Sequence, residues 1–222
     1  MKDMELLSRL TLRPEREEEY SQVEELTREA FWNQYGPGCD EHYLVHIMRT
    51  CPEFVPELDT VAELDGQCIG NIQYTRARLI LDAGGEREVL CFGPLSVLPQ
   101  YQSRGIGARL IDHTAAKARE LGFNAILITG DPEYYKRVGF LPAERYGIAN
   151  AEDQYMDALL ARELTVGALT GCAGRFVEAP VFALDAGAAA AFDENFAARE
   201  KYSGLPSQLR FQTLSAASRP RK

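Results

Sequence analysis

The stretch from Gly93 to Leu110, GPLSVLPQYQSRGIGARL, constrains what this chain can fold into more than any other. Residues 93–97 read as the end of an apolar strand. The residues after Gly105 read as a helix running to about Leu121, and a tight loop with two glycines joins the two. Gly105 and Gly107 have no Cβ, so the backbone can turn sharply there and a ligand can come close. The first N–H groups of a helix have no intrahelical partner, and the helix dipole places partial positive charge on them. Strand, glycine loop and helix start together predict a phosphate or pyrophosphate cradle. Arg104 and Arg109 add positive charge in a chain of net charge −9.

Spacing separates three kinds of cradle. A P-loop needs Gly-Lys-Ser/Thr after its first glycine, and the segment has none. A dinucleotide fingerprint needs a third Gly or Ala where Leu110 stands. The remaining pattern, Gln/Arg-x-x-Gly-x-Gly/Ala, holds the pyrophosphate of coenzyme A, and Gln102, Gly105 and Gly107 match it in order and spacing.

A second segment adds to this. The apolar run Ala125-Ile126-Leu127-Ile128-Thr129 suits a short buried strand. After it comes Gly130-Asp131-Pro132-Glu133-Tyr134-Tyr135-Lys136-Arg137-Val138-Gly139-Phe140, where Asp131 can cap a helix, Pro132 can occupy its first position and Gly139 can end it. With these two segments in this order, the chain resembles the GNAT superfamily of N-acetyltransferases. Its second signature, aromatic-Tyr-x-x-x-Gly-Phe, is matched by Tyr134, Tyr135, Gly139 and Phe140. The resemblance runs from roughly Leu12 to Val177. It is strongest to a bacterial group carrying Gly-Pro-Leu-x-Val and Gly-Asp-Pro-x-Tyr-Tyr. One departure is that Gly130-Asp131-Pro132 stands where many relatives place an Asn that binds the pantetheine arm.

The resemblance implies an α/β fold with a mixed, mostly antiparallel central sheet flanked by helices. It implies an acetyltransferase domain over 1–180 and a C-terminal extension over 181–222 packed on it. It implies acetyl-CoA as co-substrate, no metal, and direct attack of an amine of a small molecule or peptide on the thioester. The pantetheine arm would pair with the backbone of Leu95, Ser96 and Val97, and the Val97 N–H would face the thioester oxygen. The pyrophosphate would rest on the amides of Gln102, Ser103, Arg104, Gly105, Ile106, Gly107 and Ala108. Tyr134 would pack on the cofactor, and Tyr135 would return a proton to the leaving thiolate. A non-catalytic acyl-CoA sensor using the same cradle is the rival reading. For the base, Glu63, Glu86 and Glu88 are the strand carboxylates at hand. Cys91 is a small core residue or an acyl carrier, and Trp32 and Tyr35 line either the acceptor pocket or the core.

Composition bounds the rest. An acidic balance argues against nucleic acid as a main partner, and no apolar run reaches the length of a membrane span or a signal peptide. Five cysteines at irregular spacing suit reduced thiols in a cytoplasmic protein and show no metal pairing. The hydrophobic periodicity predicts a strand at 10–13, helices at 17–32 and 40–50, and a meander of strands at 60–64, 68–81 and 86–97. Further strands are expected at 155–164 and 175–177. An amphipathic helix is expected over 185–201, with Phe192 and Phe196 on one face, and a frayed end from about Ser215. The extension could cover the cleft, make a homodimer contact or simply pack.

Overall fold

The computed structural model describes residues 2–221. Helix α1 (Lys2–Ser8) leads into strand β1 (Thr11–Pro14), and a 3-10 turn at Glu17–Glu19 opens α2 (Tyr20–Phe31). Helix α3 (Glu41–Met48) then precedes the meander of β2 (Thr60–Leu64), β3 (Gln67–Leu81) and β4 (Glu86–Val97). The glycine loop enters α4 (Ile106–Glu120). Strand β5 (Ala125–Thr129) and the short α5 (Pro132–Tyr135) follow, then β6 (Leu141–Pro142), β7 (Ile148–Ala149), β8 (Gln154–Met156), β9 (Leu159–Glu163) and β10 (Gly174–Val177). The last elements are α6 (Ala186–Asp193), α7 (Pro206–Ala216) and β11 (Ser218–Pro220).

The main sheet runs β1-β2-β3-β4-β5-β9-β6, with β10 on the far half of β3 and β7 beside β10. Its pairs are antiparallel except β4 with β5 and β10 with β7. Helix α4 packs on one face because Ile106, Leu110, Ile111, Ala115 and Ala118 recur at helical spacing and are all buried. Burying each of the larger ones contributes about 1.5–3 kcal/mol. Helix α2 buries Val23, Leu26 and Ala30 in the same way.

The C-terminal third departs from expectation in two places. The helix expected over 185–201 stops at Asp193, although the Phe192 and Phe196 rings still meet at 5.4 Å. Helix α7 forms over Pro206–Ala216, where no element is expected, and in the stretch that reads as a frayed end β11 pairs antiparallel with β8. Polar contacts hold this tail in place. Gln208, 2% exposed, donates to the carbonyls of Asn33 (3.0 Å) and Tyr202 (2.9 Å). Arg221 ion-pairs with Asp82 (2.6 Å) and Asp153 (2.9 Å). The Arg28 guanidinium, 1% exposed, meets Asp193 at 2.7 Å. Among the described residues no helix is long and apolar enough to cross a membrane.

Candidate active site

Strands β4 and β5 lie side by side but pair at one rung only, Leu90 with Ile126. Beyond it they splay, and a cleft of about 760 Å³ opens between them. The remaining backbone of β4 thus has one edge on β3 and one edge free. Register fixes which groups face the gap. The Leu98 N–H donates to Ile69 on β3 (2.9 Å), and Ser96 lies opposite Asn71. By the alternation of an antiparallel ladder, the backbone groups of Leu95 and Val97 point the other way, into the cleft. The Val97 carbonyl there accepts from the Gln102 side chain at 2.9 Å, which leaves its N–H toward the gap.

The floor of the cleft is the glycine loop. Gly105 (φ 86°) and Ser103 (φ 59°) take the left-handed conformation, and Gly105 is the N-cap of α4 with no side chain capping the helix. The amides of Ile106, Gly107 and Ala108 are therefore open to an anion. A Cβ on Gly107 would lie 2.5 Å from the Tyr134 Oη, so any larger residue there pushes the Tyr134 ring out of its present place. Arg137 is the cation that lines the cleft, whereas the half-buried Arg104 and the exposed Arg109 lie outside its lining.

The opposite wall is α5. Asp131 caps it through the Glu133 N–H (2.9 Å), as its position before Pro132 predicts. Tyr134 and Tyr135 both line the cleft. The Tyr135 ring is boxed by Tyr134 (4.9 Å), Phe140 (5.6 Å) and Phe92 (5.9 Å). Burial holds its phenol well above the ordinary tyrosine value, so it stays a proton donor at neutral pH.

The fold is shared with known proteins. The acetyltransferase (GNAT) domain family matches residues 57–142. Over those residues the chain is similar to the GNAT superfamily. YjhQ of Escherichia coli K12, an uncharacterized N-acetyltransferase, is 34% identical over 90 residues, which cover 39% of this chain and 48% of YjhQ. The match to that relative thus spans about half its length. YhbS from the same organism, also an uncharacterized N-acetyltransferase, is 27% identical over 60% of this chain and 78% of its own length. The YhbS crystal structure, solved with CoA, superimposes with a TM-score of 0.70 at 24% identity, covering 79% of this chain and 93% of that one. A GNAT acetyltransferase from Brucella melitensis, solved with acetyl-CoA, gives 0.60 at 25% identity, covering 78% and 97%.

The cleft gathers most of the residues that the sequence singles out. Leu95, Val97, Gln102 and Ser103 line it, as do Gly105, Ile106, Gly107 and Ala108, together with Tyr134 and Tyr135. Ser96 does not face the gap: its side chain is fully buried, donating to Thr27 (3.0 Å), and its backbone groups point to Asn71 on β3, so of the three expected pantetheine contacts only those of Leu95 and Val97 are open to the cleft. The candidate bases lie elsewhere. Glu63 pairs with Arg13 (2.6 Å), Glu86 with Arg78 (3.1 Å) and Glu88 with Arg76 (3.6 Å), and none lines the cleft. Cys91 does line it, but burial pushes its thiol well above the usual range, which removes the thiolate that an acyl carrier needs. Trp32 donates its ring N–H to the Glu200 carbonyl (2.9 Å) and lies outside the lining, whereas Tyr35 is part of it.

Two carboxylates that the sequence does not mark, Glu41 and Glu178, also line the cleft. Burial raises the Glu41 carboxyl to about 7. Glu178 is exposed to the open cleft, yet the protein around it raises its carboxyl by desolvation. Among the described residues no His/Cys/Asp/Glu group could hold a metal ion.

Proposed function

We propose that this chain is an acetyl-CoA-dependent N-acetyltransferase that moves an acetyl group to an amine of a small molecule or peptide. The observation that carries this is the free edge of β4, which leads from the Leu95 and Val97 backbone down to the uncapped N-terminus of α4. An extended pantetheine arm adds to that edge as a strand would. The pyrophosphate accepts from the amides of 105–108, with Ser103 at the loop and Arg137 beside it. Arg104 would then act at a distance, through its charge. The Val97 N–H polarises the thioester carbonyl and takes the charge that builds on its oxygen. Tyr134 packs against the cofactor, and Tyr135 gives its proton to the departing thiolate. Glycine at 130 replaces the side-chain contact that many relatives make to the arm, so the backbone of β4 carries that contact.

The test is CoA-thiol release from acetyl-CoA, with acetyl-CoA affinity measured by calorimetry on the same protein. The amine panel comprises spermidine, kanamycin, free amino acids and a peptide with a free N-terminus. Acetylation of any of these supports the reading and names the acceptor class. Tight acetyl-CoA binding with no transfer to any of them moves the chain to an acyl-CoA sensor.

A further inference from the structure

An ammonium group has to lose a proton before its nitrogen can attack a thioester, since a free alkyl amine has a value near ~10. Few groups in the cleft can take that proton. Its lining includes no histidine. Asp131 is already used, accepting two bonds from Arg210 (2.9 Å each) and one from the Glu133 N–H. The Cys91 thiol stays protonated. That leaves Glu41 and Glu178, and neither has a cationic partner among the described residues.

The surroundings of the two differ. Glu178 is exposed and turns toward the Thr129 hydroxyl at the end of β5. Glu41 is half-buried in the first turn of α3, where its carboxylate accepts the Asp40 N–H at 3.1 Å. It lies within electrostatic reach of Tyr35, and Tyr35 within reach of Tyr135. Tyr35 is itself pinned by stacking on Phe211 of α7, at 4.5 Å between ring centres. Glu41, Tyr35 and Tyr135 therefore line one cleft.

Resting on the acetyl-transfer reading, we infer that Glu41 is the base that takes the proton from the acceptor amine. The ammonium proton passes to the Glu41 carboxylate. The freed nitrogen lone pair forms the C–N bond at the thioester carbon, and collapse of the adduct breaks the C–S bond. The thiolate takes the Tyr135 proton, and the phenolate recovers one from the nitrogen of the new amide. Ammonium, thioester and Glu41 carboxylate become amide, thiol and Glu41 carboxylic acid.

Asp40, the N-cap of α3, is next to Glu41, and the other titratable or charged groups lining the cleft include Tyr35 after α2, Cys91 on β4, Tyr101 before the glycine loop, Tyr134 on α5 and Glu178 beyond β10. Asp131, Tyr135 and Arg137 line it from the cap of α5, from α5 and from the turn after it, and Arg210 of α7 is bonded to Asp131. Asp193 of α6 is engaged by Arg28. Of these, Glu41 is the one whose carboxyl is raised to about 7, so kcat/KM should rise with pH through a limb there.

The experiment compares pH–rate profiles of wild type, Glu41→Gln, Glu41→Asp and Glu178→Gln with the best amine of the panel, and acetyl-CoA affinity for each. Glu41→Gln should lose about 10²–10³-fold in kcat/KM near neutral pH with acetyl-CoA affinity retained. Its limb near 7 should vanish, and the gap to wild type should narrow as pH approaches the amine's own value. Glu41→Asp should restore part of the rate and a shifted limb, and Glu178→Gln should keep the wild-type limb. An unchanged limb in Glu41→Gln, or its loss in Glu178→Gln alone, overturns the assignment while leaving acetyl transfer standing. Failure of the wild type to acetylate any amine overturns both.

Discussion

Gly130 joins β5 to α5, and replacing it with alanine perturbs Tyr135 without touching any polar group. The backbone accepts alanine, since Gly130 does not take the left-handed conformation. The added methyl does not fit, however. It would lie 2.8 Å from the Tyr135 Cδ2, closer still to Cε2, and 3.3 Å from Cζ. Carbon contacts settle at ~3.5–4.0 Å, so the ring has to retreat by roughly 1 Å. Phe92, Phe140 and Tyr134 close off its ways out. Overpacking of this kind costs about 1–3 kcal/mol, and each kcal/mol lowers Tm by about 2–4 °C in a chain of this size. A displacement near 1 Å of a group that must meet a reacting atom costs on the order of 10²-fold in rate. Gly130→Ala should therefore lower both Tm and turnover, with acetyl-CoA affinity falling far less than turnover. Calorimetric melting, thiol release and isothermal titration read the three quantities. In a Tyr135→Ala background the obstruction is gone, and adding Gly130→Ala should cost almost no further stability. An unchanged Tm and turnover in Gly130→Ala, or an equal Tm penalty in both backgrounds, would refute the steric argument.

Tyr135→Phe should lower kcat by about 10²–10⁴-fold while acetyl-CoA binding is retained, and equal turnover would remove the phenol from the mechanism. Asp193→Ala leaves the Arg28 guanidinium buried without its partner and should cost about 3–5 kcal/mol in urea denaturation. Arg210→Ala should lower Tm slightly at pH 7. The Arg210 hydrogen bonds hold Asp131 below the usual aspartate value, so their stabilisation is present above that value and fades as pH falls through the depressed one. The Tm difference from wild type should accordingly close in acid, and a difference that persists there would contradict this assignment.

The glycine loop and the helix start after it were legible in the sequence because their information is local. Two glycines at fixed offsets mark them, and Asp131-Pro132 fixes the start of α5 in the same way. Glu86 and Glu88 misled because strand alternation tells which face a side chain takes, not where along β4 the gap opens. It opens beyond Leu90, and both glutamates precede that rung. Glu41 and Glu178 carry no pattern of their own, since packing of α3 and of the β10 end brings them to the cleft. Helix α7 was missed for a related reason. Its sequence PSQLRFQTLSA has no apolar stripe, and it is fixed by Gln208, Arg210 and the Phe211 stack, contacts to residues far away in the chain.

Those contacts also set the order in which a newly made chain becomes complete. The glycine loop, β5 and α5 are all synthesised by residue 140, and they can assemble with the meander that precedes them. Tyr35 is made far earlier, yet its stacking partner Phe211 comes 176 positions later, and the Asn33 carbonyl waits 175 residues for Gln208. Because the donor side is complete only by residue 140, at ~5–20 residues per second roughly 4–14 s pass before Phe211 is made, during which the donor side of the cleft exists and the other side is unfinished. A nascent chain thus completes the glycine-loop side of its cleft before the side that Tyr35 lines.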